Sequence, residues 1–84
     1  MKIEKWLPLG SVVILKNGSK PLMIFGRKQI NVKTQKEFDY VGCLWPEGNI
    51  ASDFNFFFNN EDIEKILFRG FENEVEIEFR KMLK

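Results

Sequence analysis

The sequence contains no histidine and only one cysteine, Cys43, in 84 residues. Without histidine the commonest general base is missing, and with it the Ser–His and Cys–His pairings of nucleophilic catalysis. A single cysteine excludes an intramolecular disulfide. Small secreted domains usually depend on such staples, so a reducing, cytoplasmic setting is expected. The same scarcity argues against a structural zinc site, which takes about four Cys or His ligands. Cys43 lies in the apolar run Val41-Gly42-Cys43-Leu44, where a free thiol behaves as a small hydrophobe.

Other absences narrow the field further. No segment approaches the roughly 20 apolar residues that span a bilayer, so no membrane insertion is expected. Met1-Lys2-Ile3-Glu4-Lys5-Trp6 lacks the apolar core of a secretory leader. Gly10, Gly18 and Gly26 stand too far apart to form a phosphate-cradling loop. Residues 53–62 are rich in Asn and acids, but three consecutive Phe occupy the positions where a calcium loop needs alternating oxygens. Asp39, Glu47 and Asp53 flank one predicted strand and resemble a carboxylate pair only superficially, because a domain this small leaves little room for a substrate cleft. No catalytic residue, metal or cofactor is therefore expected.

What the chain has is aromatic side chains. Hydrophobic residues make up 44%, with nine Phe beside Trp6, Trp45 and Tyr40. Each ring can bury roughly 150–250 Å², so a few of them supply much of a thin core. The length fits one domain, residues 1–84, of a kind that hides only about 60–65% of its unfolded surface. Charge is uneven: residues 1–42 hold eight Lys/Arg against three Asp/Glu, and residues 43–84 hold five against nine. A basic hairpin followed by acidic helix starts produces that layout, and it also gives a dipole that can steer a partner.

Val12-Val13-Ile14-Leu15 and Leu22-Met23-Ile24-Phe25 are β-rich runs with Asn17-Gly18 between them, a hairpin signal because both turn residues tolerate positive φ. Gly26 marks a bend or bulge. Residues 29–33 continue the strand or start another, and residues 34–37 form a polar turn. Phe38 to Trp45 is the next strand, ended by Pro46-Glu47-Gly48-Asn49. Phe54 to Phe58 is expected to be extended, a short helix is expected over residues 61–65 behind an Asn cap, and Ile66 to Arg69 returns as a strand.

The tail is ambiguous. Glu74-Val75-Glu76-Ile77-Glu78-Phe79 alternates like a strand, whereas Phe71, Val75, Phe79 and Met82 fall on one helical face. Acids at its start and Arg80, Lys81 and Lys84 at its end match a helix dipole, and Glu favours helix over strand. The expected fold is α+β: a small curved antiparallel sheet of about five strands, partly open and barrel-like, with a short helix and a C-terminal helix.

A binding module remains. Tyr40, Trp45, Phe57, Phe71, Val75, Phe79 and Met82 are the candidate partner-binding residues. The stripe from Phe71 to Met82 either packs on its own sheet or docks into a partner, since helix-in-groove contacts use the same spacing. A second class of function is single-strand nucleic-acid binding through Lys16, Lys20, Arg27, Lys28, Lys33 and Lys36 beside aromatics. The pI of about 7.8 and the acidic second half argue against it.

Leu7-Pro8-Leu9-Gly10-Ser11-Val12-Val13, Leu22-Met23-Ile24 with Gly26-Arg27, and above all Asp39-Tyr40-Val41-Gly42-Cys43-Leu44-Trp45-Pro46-Glu47-Gly48-Asn49 resemble successive blocks of a family of small Firmicute proteins that carry a domain of unknown function. Phe58-Asn59 with Glu61-Asp62-Ile63, and Phe68 with Gly70-Phe71-Glu72, look like its later blocks. Trp45 and Phe71 stand where the family often has Tyr, which keeps the aromatic character. Its members are similar in being encoded beside LXG toxins of the type VII secretion system. The resemblance implies a chaperone or targeting adaptor that binds the toxin's N-terminal helical region together with small helical companion proteins. An immunity protein against the toxin's C-terminal domain is the alternative in the same setting. No catalytic or ligand residues come with the resemblance.

Overall fold

The computed structural model describes residues 6–83. Residues 1–5 and Lys84, which the sequence reading placed in a non-leader N-terminus and a basic helix end, lie outside the described residues. Five strands, β1 (Val12–Leu15), β2 (Leu22–Asn31), β3 (Lys36–Leu44), β4 (Phe56–Phe58) and β5 (Ile63–Phe68), precede one helix, α1 (Glu74–Arg80). They form one antiparallel sheet in the order β4-β3-β2-β1-β5, so β4 and β5 are its edges and the sheet is not closed. The expected fold class holds.

Register explains the core. Val13 pairs with Leu22 and Ile66, Leu22 with Leu44, and Leu15 with Ile63. Tyr40 pairs with Phe58. Cross-strand partners share a face, and these side chains join Trp6, Leu7 and Ile24 in one apolar cluster. Tyr40 is its centre. The ring of Tyr40 lies 5.6 Å from Phe58 and 6.0 Å edge-on from Trp6. The Tyr40 hydroxyl accepts from the Leu7 amide at 2.9 Å and donates to Asn60 Oδ1 at 2.7 Å. Burial pushes the Tyr40 phenol up from its ordinary pKa.

The β1–β2 hairpin forms as expected, its connection running over residues 16–21. Asn17 adopts φ 66°, as an Asn-Gly turn favours. The bend expected at Gly26 is a β-bulge. Ile24 pairs with Gly42 and Gly26 with Val41, which leaves Phe25 as an extra residue. A Cβ on Gly26 would come within 2.7 Å of Val41 Cγ1, so the position takes glycine. The extra residue also reverses the alternation beyond it. Arg27 therefore pairs with Tyr40 and falls on the core face, where strict alternation from Ile24 would turn it outward.

Two local expectations are corrected. The helix expected over residues 61–65 is a single 3-10 turn, Asn60–Asp62, closed by a reciprocal box between Asn59 and Asp62. β5 starts directly after it because Ile63 is needed in the core and Asp62 accepts the Lys16 amide at 2.9 Å. The extended run expected from Phe54 begins with another 3-10 turn, Ser52–Phe54, and becomes β4 only at Phe56. At the C-terminus the helical choice is right: Asn73 caps α1 by accepting from the Glu76 amide at 3.1 Å.

Candidate protein-binding surface

The C-terminal helix is attached to the sheet by its charged side. Glu76 and Arg80 stand four apart on one face of α1, and Glu72, just before the Asn73 cap, joins them through Arg80. That face points inward. Arg27, its side chain only 5% exposed, makes a bidentate pair with Glu76 at 2.5 and 2.8 Å and also donates to the Leu7 carbonyl at 3.2 Å. Arg80 reaches Glu76 at 3.2 Å and pairs with Glu72, which also takes two hydrogen bonds from Arg69 at 2.8 and 3.0 Å. Hydrogen bonds from Arg69 and then Arg80 hold the Glu72 carboxyl down at about 2. The hydrogen bond from Arg27 similarly holds Glu76 below the ordinary carboxylate value. Leu83 packs on the core beside them, and its carbonyl accepts from Trp6 Nε1 at 3.2 Å.

With the charged side turned in, the apolar side is left out. Phe71 is 78% exposed, Val75 75%, Met82 74% and Phe79 49%. Val75 and Phe79 lie side by side on α1, about 100° around the helix from the inward Glu76–Arg80 side, while Met82 follows the helix in its closing turn and Phe71 precedes the Asn73 cap. Phe79 keeps one inward contact, its ring 5.6 Å from the Arg27 guanidinium. The stripe is therefore not part of the sheet's core, so packing on its own sheet, the first of the two readings its spacing left open, does not hold. Fully burying a side chain of this kind contributes about 1.5–3 kcal/mol, so a partner covering the band has several kcal/mol available to it.

The other candidate residues do not join this band. Tyr40 is fully buried, and its assignment to a binding surface is corrected: its hydroxyl and ring hold Leu7, Asn60 and Phe58 together. Phe57 is half-buried, 5.7 Å from Phe38, and lines a shallow cavity of about 390 Å³. Trp45 is 48% exposed and lines a second, apolar depression of about 340 Å³ with Val12, Leu67 and Phe68. Leu67 and Phe68 are exposed apolar residues that the sequence reading passed over. Their neighbours Glu64 and Lys65 are exposed too, and nothing in that run separates an edge strand from a central one.

Asp39, Glu47 and Asp53 have separate roles. Asp39 accepts from the Asn60 amide at 2.9 Å, and Glu47 pairs with Lys20 at 2.9 Å. Asp53 sits in the first cavity. Among the described residues no cluster of His, Cys, Asp and Glu is arranged to hold a metal ion, and no helix is long and apolar enough to cross a membrane. Cys43 is a buried free thiol.

The profile of one protein family, described as a domain of unknown function (DUF4176), matches residues 6–79. No curated protein and no solved structure is detectably similar to the chain.

Proposed function

The chain belongs to the family of domains of unknown function DUF4176, and from that premise we propose that it is a non-enzymatic protein-binding accessory. In this reading it is a chaperone or targeting adaptor for export of an LXG toxin by the type VII secretion system, and it binds the toxin's N-terminal helical region. The observation that supports protein binding is the orientation of α1: Val75 on the helix and Phe71 and Met82 on either side of it are each at least 74% exposed, while Glu76 and Arg80 face the core. An apolar helical face of this spacing suits packing against another amphipathic helix. The toxin and the secretion route rest on the sequence resemblance alone.

The nucleic-acid alternative loses support from the same geometry. Arg27 is engaged by Glu76, Lys20 by Glu47 and Lys28 by Glu37 at 3.1 Å. Three of the six basic residues that would form a phosphate track thus already face carboxylates.

Tagged co-purification tests the reading, with the toxin divided into its N-terminal helical half and its C-terminal half. The adaptor reading expects capture of the N-terminal half, helped by the small helical companions. It also expects Phe79→Asp and Met82→Asp variants that stay folded by circular dichroism and lose capture. Capture of the C-terminal half alone means immunity instead, and capture of neither half defeats the reading.

A further inference from the structure

The rows of side chains along α1 meet different surroundings. At about 100° per residue, Glu76 and Arg80 face the sheet, Val75 and Phe79 form the next row round, and Glu74 and Glu78 form the row after that. Glu74 and Glu78 are both exposed. Lys81, just past the helix, reaches Glu78 at 2.9 Å, while Glu74 has no ion-pair partner among the described residues. Two carboxylates against one ammonium leave this border of the apolar row negative. The opposite border is taken up by the inward contacts of Glu76 with Arg27 and Arg80.

That charge selects among the surfaces able to cover an apolar helix face. An anionic lipid headgroup layer or a nucleic-acid backbone would meet like charge along Glu74 and Glu78. A helix with Lys or Arg beside its own apolar stripe would meet opposite charge, as at the bordering positions of paired helices.

We propose that the Val75–Phe79 face is covered by an amphipathic helix of a partner protein, with the basic border of that helix laid along Glu74 and Glu78. The proposal rests on the protein-binding reading and adds to it the charge of the partner. Apolar contact at Val75 and Phe79, extended by the exposed Phe71 and Met82 before and after the helix, supplies most of the affinity. The two carboxylates set which helix is accepted.

Two synthetic helical peptides of about 20 residues serve as probes, alike in a Leu stripe and differing only in whether Lys or Glu borders it. Their binding to the full chain is followed by fluorescence anisotropy. The Lys-bordered peptide should bind about tenfold more tightly at low salt. The gap should close near about 1 M salt, where screening acts within about 3 Å. The chain as a whole carries +1, so its net charge favours the Glu peptide, and a Lys preference reports the local border. Glu74→Gln with Glu78→Gln should erase the preference with unchanged circular dichroism, and Lys81→Gln should widen it. Val75→Asp should weaken binding of both peptides at least about tenfold.

Equal affinities, a Glu preference, no binding of either peptide, or a Lys preference that survives the Gln pair overturns the proposal. So does peptide binding indifferent to Val75→Asp, or binding to phosphatidylglycerol vesicles that Val75→Asp abolishes. Capture of the toxin's N-terminal half by a chain with no Lys preference leaves the adaptor reading standing and removes this one. A Lys preference without capture does the reverse.

Discussion

The sheet and the C-terminal helix of this small protein are held by opposite means. On the core face of the sheet, Trp6, Leu7, Val13, Ile24, Tyr40 and Phe58 interlock with almost no exposure, and the buried Tyr40 hydroxyl is bonded to the Leu7 amide and to Asn60. The helix is fastened by guanidinium–carboxylate contacts among Arg27, Arg69, Arg80, Glu72 and Glu76, while its apolar side chains face out. Apolar packing responds to lost volume and hardly to salt or acid, whereas ionic fastening responds to both. One chain thus combines a body whose stability is set by shape with an attachment whose stability is set by charge. The attachment is the part that displays exposed apolar side chains.

The comparison breaks most visibly at the centre of the sheet. Phe58→Ala removes a ring that is 2% exposed and packed on Tyr40, and should cost about 3–5 kcal/mol. That is a large share of the roughly 5–15 kcal/mol available to a domain, so urea unfolding followed by circular dichroism should show a much lower midpoint or an unfolded chain. A loss below about 1 kcal/mol would mean that the core is not centred on Tyr40 and Phe58.

Arg27 is where body and helix meet, and its effect should come next. Arg27→Met leaves Glu76 beside the core with only Arg80 at 3.2 Å. Removing one member of a buried pair costs about 3–5 kcal/mol. The remaining Arg80 contact and the 14% exposure of the Glu76 side chain bring the expected loss to about 2–3 kcal/mol. Amide exchange should quicken across α1 before it quickens in β2 and β3. The double variant Arg27→Met with Glu76→Leu should recover most of the loss, since an apolar pair of similar size replaces the ions.

Acid sharpens the contrast without any mutation. Glu72 and Glu76 have folded pKa values below those of the unfolded chain, so in acid the unfolded state binds more protons and stability rises with pH. Their contribution is complete above the unfolded carboxylate value of about 4.3 and fades as pH falls toward about 2, where Glu72 takes its proton in the folded state. Between those limits the helix should loosen while the sheet remains. Near-ultraviolet circular dichroism from the buried Trp6 and Tyr40 would then persist below the pH at which helical signal falls. Glu72→Gln should flatten the decline, and coincident loss of both signals would show the two regions to be one unit.

Much of this division was legible in the residues, and the part that was not has a physical cause. Asn17-Gly18 announced the first hairpin and Gly26 the bulge, because a backbone demand for positive φ or a close approach is written in residue type. The tail reads as helix and not strand because Glu propensity and the order of its charges outweigh a two-residue alternation. Which side of that helix faces the body was not legible from its own pattern. Phe71, Val75, Phe79 and Met82 recur at helical spacing, but so do Glu72, Glu76 and Arg80, and periodicity cannot rank two stripes on one helix. The deciding residue is Arg27, 49 positions before Glu76 and turned inward by the one-residue bulge just ahead of it. Tyr40 was misplaced for a related reason: aromatic residues on half-buried strands look alike in sequence, and only register shows which ones face the core.

The smallest expected effect discriminates best. Val75→Ser lies on the exposed face of α1, where the side chain is 75% accessible. Replacing it should change folding stability by no more than about 0.5 kcal/mol, as for surface positions without packing partners. A binding face predicts that this near-silent change still weakens capture of the toxin's N-terminal half, because a Val covered only in a complex loses its apolar gain only there. If Val75→Ser instead destabilised the isolated chain by more than about 1 kcal/mol, Val75 would be packed within its own molecule. The helix would then be fastened on its apolar side as well, and the division between a body held by shape and a helix held by charge would not stand.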